Sequence, residues 1–115
     1  MLWLVRHMPN HSAQLNHVFY ALSDSTRRAV VQRLAKGQAP VSELAKPFNM
    51  ALPSFMQHLE VLEECGLVRS RKVGRVRIFQ LTPKPLQLME SWLEKQQKMW
   101  NQRLDQLDNV LYELK

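Results

Sequence analysis

The sequence predicts a mainly α-helical fold with one small β-hairpin and a long C-terminal helix. Apolar residues recur at helical spacing through residues 12–65, and residues 67–81 around Gly74 are rich in Val, Ile and Phe. A third observation is an apolar residue at every seventh position from Leu86 to Leu114. With 115 residues, 45% hydrophobic and 23% charged, the chain has the size and composition of one globular domain. We expect an N-terminal extension over residues 1–12 and a single domain over 13–115.

The first two predicted helices lie in the N-terminal third of the domain. One begins at Ser12, because the apolar residues that follow it have helical spacing. The next runs from Ser25 to Lys36, with Asp24 as its N-cap and Gly37 at its end. Residues 37–40 are expected to form a turn.

Residues 42–65 predict two helices joined by a short connection. Ser42 is expected to cap the first helix, and Pro47 should keep it short because proline removes a helical hydrogen bond. The second carries Pro53 in its first turn, where proline is tolerated, and ends at Cys65. Its predicted buried face consists of residues that lie close together on a helical wheel: Phe55, Leu59 and Leu62.

The stretch that contains the predicted hairpin is strongly basic. Residues 66–84 contain six Lys or Arg and no Asp or Glu, so their charge of +6 equals that of the whole chain. A basic stripe on one element favours a polyanion as partner, most often nucleic acid. On charge alone, a solvated hairpin explains the pattern equally well.

The last predicted helix spans residues 85–114 and would be about 45 Å long at 1.5 Å per residue. A domain of this size cannot cover such a helix, and a sustained seven-residue apolar repeat usually pairs with another helix. We therefore expect a homodimer. Its predicted interface residues are Leu15, Phe19, Leu86, Trp92, Leu93, Trp100, Leu104, Leu107 and Leu111.

The order helix, short turn, helix, basic hairpin is that of a winged helix-turn-helix, with the helix pair at 42–65 and the wing at 67–81. The second helix of such a pair enters the major groove of double-stranded DNA, and the wing contacts phosphates or the next minor groove. A two-fold dimer would then recognise an inverted repeat. The candidate DNA-binding residues are Lys46, Pro53, Ser54, Met56, Gln57, His58, Arg71, Lys72, Arg75 and Arg77.

Four of these candidates are predicted to contact bases or phosphates from the second helix. Gln57 points outward, and its amide can pair with adenine through two hydrogen bonds. Ser54 could contact a base or a phosphate, and Met56 or Pro53 a thymine methyl group. For Gln57 and Ser54, a solvated side chain and hydrogen bonding at the helix start are the alternative interpretations.

Four stretches of the chain resemble the ArsR-type winged-helix transcriptional regulators of bacteria and archaea. They fall in family order and cover residues 15 to 82 without a large gap; their bounds are 21–28, 41–45, 58–68 and 74–81. The resemblance implies a dimeric DNA-binding regulator, most often a repressor. It also implies that His58 is the family's recognition-helix histidine, which donates to a DNA phosphate; a half-buried structural histidine is the alternative.

Residues 50–54 and the tryptophans at 92 and 100 resemble the branch of small autorepressors. The metal-sensing branch carries paired cysteines in the helix at 43–46 or Asp and His pairs in the last helix, and this chain lacks both. The resemblance therefore implies no metal and no cofactor. The family often has Ser or Thr where this chain has Met56, so the usual hydroxyl contact is missing there.

Other classes of protein fit the sequence less well. Each of the three glycines is explained as a turn or cap residue, and no nucleophile and base have a purposeful order, which argues against an enzyme. A winged-helix protein-interaction module would favour a neutral wing, and an RNA-binding domain would expose aromatic residues for stacking. Cys65 leaves open a redox-responsive repressor, although we expect a structural role for it.

The sequence also indicates where the protein is found. A single cysteine fits a reducing cytosol, and no apolar run approaches the roughly 20 residues of a membrane span. The sequence does not allow an effector to be named.

Overall fold

The structure is a computed structural model that describes residues 11–114. The expected N-terminal extension therefore lies almost wholly outside the described residues. Helices and strands follow one another in this order: α1 (His11–Leu22), α2 (Ser25–Leu34), β1 (Ala39–Pro40), α3 (Val41–Ala45), α4 (Leu52–Glu64), β2 (Val68–Val73), β3 (Val76–Leu81) and α5 (Lys84–Glu113). Over these residues, no helix combines the length and apolarity that a membrane crossing requires.

The hydrophobic core lies where α1, α2, α3 and α4 meet one face of the sheet. Phe55 from α4 and Phe79 from β3 are its largest fully buried side chains. The predicted buried face of α4 is confirmed, because Phe55, Leu59 and Leu62 are each at most 1% exposed. The rest of the core comes from Val18, Ala21, Val30, Leu34, Ala39, Leu44, Cys65, Leu67 and Val68.

Helix α2 begins as predicted and ends two residues earlier than predicted. The carboxylate of Asp24 accepts a hydrogen bond of 3.0 Å from the backbone amide of Arg27, which makes Asp24 the N-cap. At the other end, the amides of Lys36 and Gly37 bond to the carbonyls three residues earlier. The chain thus tightens into a turn after Leu34, and Gly37 completes it with a φ of 144°.

The prediction of a simple turn at residues 37–40 was wrong. Ala39 and Pro40 form a short strand that pairs with Phe79 and Ile78 of β3. The sheet order is β1-β3-β2, so β1 is an edge strand, where a proline without an N–H is tolerated. The predicted cap of α3 was also wrong: Pro40 is the N-cap residue, and Ser42 lies inside the helix.

The predicted hairpin is confirmed with small changes at its ends. Strands β2 and β3 are antiparallel, and Val73 pairs with Val76 across a turn of two residues. Gly74 takes the first turn position with a φ of 65°, a value that other residues avoid. This turn holds Arg75 at the tip of the wing.

Helix α5 begins one residue before the predicted start and ends one residue before the predicted end. Pro85 is buried, and Leu86 and Met89 pack against the core. From Trp92 onward the apolar side chains are exposed, and the chain extends to 71 Å along its longest dimension. The core therefore covers only the first two turns of α5.

Candidate nucleic-acid interface

Helix α4 presents a polar face to solvent opposite its buried face. Gln57 is exposed, as predicted, together with Pro53 and Ser54, and Met56 is partly buried beside the core. Lys46 is exposed at the end of α3. An exposed polar face on the second helix of such a two-helix unit is able to enter a major groove.

The first turn of α4 has no side-chain cap. Ala51 occupies the N-cap position and makes no side-chain hydrogen bond, because an alanine side chain has no acceptor to offer. Backbone amides at a helix start attract anions, because they point outward at the positive end of the helix dipole. A DNA phosphate at this end would satisfy these amides.

The hairpin register divides the basic residues of the wing between its two faces. Lys72 lies directly opposite Arg77, and both share a face with Phe79, the core residue of β3. Arg71 pairs with Ile78 on the other face. Two cations directly opposite each other repel, which destabilises the hairpin, and an anion bound between them would offset this repulsion.

Two of the wing arginines are also held by neighbours in the protein. Arg77 donates a hydrogen bond of 2.9 Å to the hydroxyl of Ser70, which in turn donates to Glu63 of α4 at 3.4 Å. Arg71 donates at 3.0 Å to the side-chain carbonyl of Gln38, in the loop before β1. These contacts dock the wing against α4 and β1, while Lys72 and Arg75 are exposed nearer the tip.

Behind α4 lies a buried arginine that the sequence analysis did not single out. Arg27 is 7% exposed, and it donates at 2.7 Å to the carbonyl of Ala21 and at 3.2 Å to that of Tyr20. Its third contact is the Nδ1 atom of His58 on α4, at 3.1 Å. A signal was present, because Arg27 precedes the buried Val30 and Leu34 by one and two helical turns.

His58 is more enclosed than the other α4 candidates. Its side chain is 22% exposed, and Nδ1 lies 3.6 Å from a carboxylate oxygen of Asp24. The hydrogen bond from the Arg27 amide, and more weakly the positive charge of the Arg27 side chain, hold the pKa of Asp24 below its usual value against the opposing effect of desolvation. One side of the histidine ring is thus engaged inside the protein.

Cys65 follows α4 at the C-cap position. It is 2% exposed, and its thiol donates to the carbonyl of Leu62 at 3.3 Å. Burial raises the pKa of this thiol, so little of the reactive thiolate is present near neutral pH. The geometry favours the structural role over the redox one.

The predicted dimer residues fall into two groups. Leu86 packs against the core of its own chain, and the ring of Phe19 contacts that of Trp92 within the chain; Leu15 is half-buried. The other group lies on the exposed part of α5, where about half of each side chain or more is accessible: Leu93, Trp100, Leu104, Leu107 and Leu111.

The fold and the basic wing define a winged helix-turn-helix protein of the DNA-binding class, and comparisons with known proteins agree. A family model described as a helix-turn-helix domain matches residues 22–71. The HTH-type transcriptional regulator Rv2034 of Mycobacterium tuberculosis is 38% identical over 77% of this chain and 80% of its own length. The transcriptional repressor SdpR of Bacillus subtilis is 30% identical over 69% and 88%, respectively.

Solved structures show the same relationship. A crystal structure of an ArsR family transcriptional regulator is 52% identical, covers 82% of this chain and 97% of its own, and superposes with a TM-score of 0.76. An ArsR-like transcriptional regulator from Rhodococcus sp. RHA1 is 32% identical, covers 86% and 93%, and superposes with a TM-score of 0.74. The chain belongs to the ArsR-type family of helix-turn-helix transcriptional regulators. It is a DNA-binding regulator of transcription and not an enzyme.

Proposed function

We propose that the protein represses transcription as a homodimer that binds an inverted repeat in double-stranded DNA. The observation that carries the proposal is the pairing of an exposed polar face on α4 with a wing that has five Lys or Arg and no Asp or Glu, in a chain of net charge +6. A helix and a basic hairpin docked together match the major groove and the phosphates beside it. The repressor role is supported by the likeness to SdpR, which is called a transcriptional repressor.

The α4 face supplies sequence recognition in this proposal. Gln57 would bond to a base edge; it is exposed together with Ser54 and Pro53, and Met56 is partly buried beside the core. Contacts to base edges carry specificity, whereas contacts to phosphates set position and contribute most of the affinity. His58 lies on the flank of this face, with Nδ1 turned inward.

The wing and α3 supply the electrostatic part. Arg75 and Lys72 are exposed near the tip, and Lys46 is exposed at the end of α3. Arg71 and Arg77 are anchored to Gln38 and Ser70, and each keeps its charge at the surface. These five cations would bind phosphates and release counterions, so affinity should fall steeply with salt.

The exposed part of α5 supports the dimer. Trp100 is 65% exposed, and Leu104, Leu107 and Leu111 are each more than half exposed. Such a contiguous apolar stripe on a single helix is normally covered, and a seven-residue repeat fits a second copy of the same helix. A two-fold dimer would place two α4 helices on half-sites about 34 Å apart. We place the protein in the cytoplasm, with its DNA, and propose neither a cofactor nor a named effector.

Fluorescence anisotropy with the upstream intergenic DNA of the protein's own gene tests this function, with a scrambled duplex as control. We expect specific binding that weakens about 10³-fold or more between roughly 50 and 200 mM salt. Equal, weak binding to both duplexes would contradict repression of the protein's own gene through this upstream DNA. No binding to either duplex at the lower salt would overturn the DNA-binding proposal and favour a protein-interaction module.

A further inference from the structure

The contacts of Arg27 join three elements at one point behind α4. Its guanidinium bonds to the carbonyls of Tyr20 and Ala21 in the last turn of α1, and its Cζ atom lies 5.1 Å above the ring centroid of Tyr20. The end of a helix carries partial negative charge, so these carbonyls stabilise a buried cation. The remaining donor, Nη1, reaches across to His58 of α4 at 3.1 Å.

The contact with Arg27 favours one charge state of His58. A guanidinium has donors only, so Nδ1 of His58 accepts the hydrogen bond and carries no proton. The ring is then neutral, with its proton on Nε2. Protonation would place a hydrogen on Nδ1, remove the acceptor, and leave two cations 3.1 Å apart.

The groups that face the ring give the direction in which it would turn. Asp24 and Arg27 contact it from the start of α2, with the carboxylate 3.6 Å from Nδ1. From α1, Tyr20 lies beneath Arg27. Within α4, the positions three and four residues away are Ser54, Phe55, Val61 and Leu62, and none of them carries a charge. A protonated ring would therefore leave Arg27 and turn toward Asp24.

We propose that Arg27 is a positioning residue for the DNA-reading helix: it holds α4 through neutral His58, and protonation of His58 replaces this contact by one to Asp24, which displaces α4 and weakens operator binding in acid. This inference rests on the proposed function, because it concerns the helix that reads DNA. The expected effect of pH on DNA binding is then opposite to that of a histidine that only donates a hydrogen bond to a DNA phosphate. A histidine that only contacts phosphate gains charge in acid and should strengthen DNA binding.

The first test uses the protein without DNA. NMR titration between about pH 8 and about pH 5.5 brackets the usual histidine pKa, and ¹⁵N shifts report the tautomer. We expect an unprotonated Nδ1 at the upper pH, and amide shifts along α4 that follow the His58 titration. His58→Asn keeps an oxygen acceptor near the Nδ1 position and should abolish that response. A proton on Nδ1 at the upper pH, or α4 amides that ignore the titration, would overturn the proposal.

The second test measures affinity for specific and scrambled duplexes at both pH values and constant ionic strength. Wild type should lose about tenfold of its specific affinity in acid, as expected from the loss of one hydrogen bond to a charged group. The specific affinity of His58→Asn should differ by no more than about twofold between the two pH values, because asparagine does not titrate in this range. The matched control is Arg28→Ala, which removes the adjacent, exposed arginine that bonds to the carbonyl of Leu22; it should keep the wild-type loss. Stronger binding in acid, or an equal loss in His58→Asn, contradicts the proposal.

A change at Arg27 itself completes the test. Arg27→Lys keeps the charge but lacks the planar fork that bonds to α1 and α4 together. Its specific affinity at the upper pH should fall to that of wild type in acid, and an unchanged affinity and pH profile would contradict the positioning role. If this variant does not fold, His58→Asn still decides. If no duplex is bound at the upper pH, the proposed function fails, and the NMR titration still tests the link between Arg27 and α4.

Discussion

The rings of Phe19 on α1 and Trp92 on α5 meet edge to face, with centroids 5.5 Å apart and planes at 75°. This contact marks the point where α5 leaves the core, because the apolar residues after Trp92 on the described helix are exposed. Both residues were predicted at a dimer interface. Their rings contact each other within one chain and stay 37% and 41% exposed, so both remain open to contact with a second copy alongside the residues beyond Trp92.

The first prediction concerns that exposed stripe. Leu107→Glu places a charge in the centre of the proposed interface, where its desolvation would oppose pairing. We expect a monomer at micromolar concentration by size-exclusion chromatography with light scattering, and a dimer for wild type. Gln102→Glu adds the same charge at an exposed position on the opposite side of the helix and should remain dimeric. A monomeric wild type would contradict the dimer.

The second prediction concerns the tip of the wing. Arg75→Ala removes one proposed phosphate contact, so binding to every duplex should weaken and the slope of log K against log salt should fall by about one unit. Lys95→Ala, an exposed change on α5, should leave the slope unchanged. The assignment of Arg75 fails if its own variant also keeps the wild-type slope.

The third prediction concerns base recognition by α4. Gln57→Ala should cost about 1–3 kcal/mol of discrimination, because one bidentate contact to a base is lost. Affinity for the scrambled duplex should stay the same. Gln32→Ala removes an exposed glutamine from α2 and serves as control. Equal losses on both duplexes would show that Gln57 contacts the backbone instead.

The fourth prediction concerns the N-cap of α2. Asp24→Ala should lower the free energy of unfolding by about 1 kcal/mol at neutral pH, and Asp24→Asn by much less, because Asn is an equally good cap. The folded protein lowers the pKa of Asp24, chiefly through the Arg27 amide. Its charge therefore stabilises the fold above the unfolded pKa of about 3.9, and this part is lost as pH falls through the lower folded pKa.

Urea unfolding at about pH 7, 5 and 2.5 measures this effect. The part of the stability difference between wild type and Asp24→Asn that comes from the Asp24 charge should be lost between about pH 5 and 2.5, and an unchanged difference over that interval would contradict it. Any change between about pH 7 and 5 reports the separate contact of Asp24 with protonated His58.

The fifth prediction concerns Cys65. Its burial and raised thiol pKa imply slow reaction with a disulfide reagent in the native protein and fast reaction in urea. Peroxide should leave DNA binding of wild type unchanged. If peroxide weakens wild type but spares Cys65→Ser, a redox-responsive repressor becomes the better description.

Much of this architecture could be read from local patterns. The buried face of α4, the cap at Asp24 and the turn at Gly74 each depend on residues within a few positions of one another, and all three predictions are confirmed. Strand β1 was missed because Ala39 and Pro40 have no strand pattern of their own. Their pairing depends on β3, about forty residues further along the chain.

The sequence by itself determined the order of the helices and the hairpin, the apolar face of α4 and the basic wing, since helical and strand periodicity and charge are local properties. Only the tertiary structure decided how the site is held together. Arg27 meets His58 across 31 positions, and Arg71 meets Gln38 across 33. Such contacts form because packing of the core brings distant segments together, and a buried arginine must then satisfy its donors with whatever acceptors lie there.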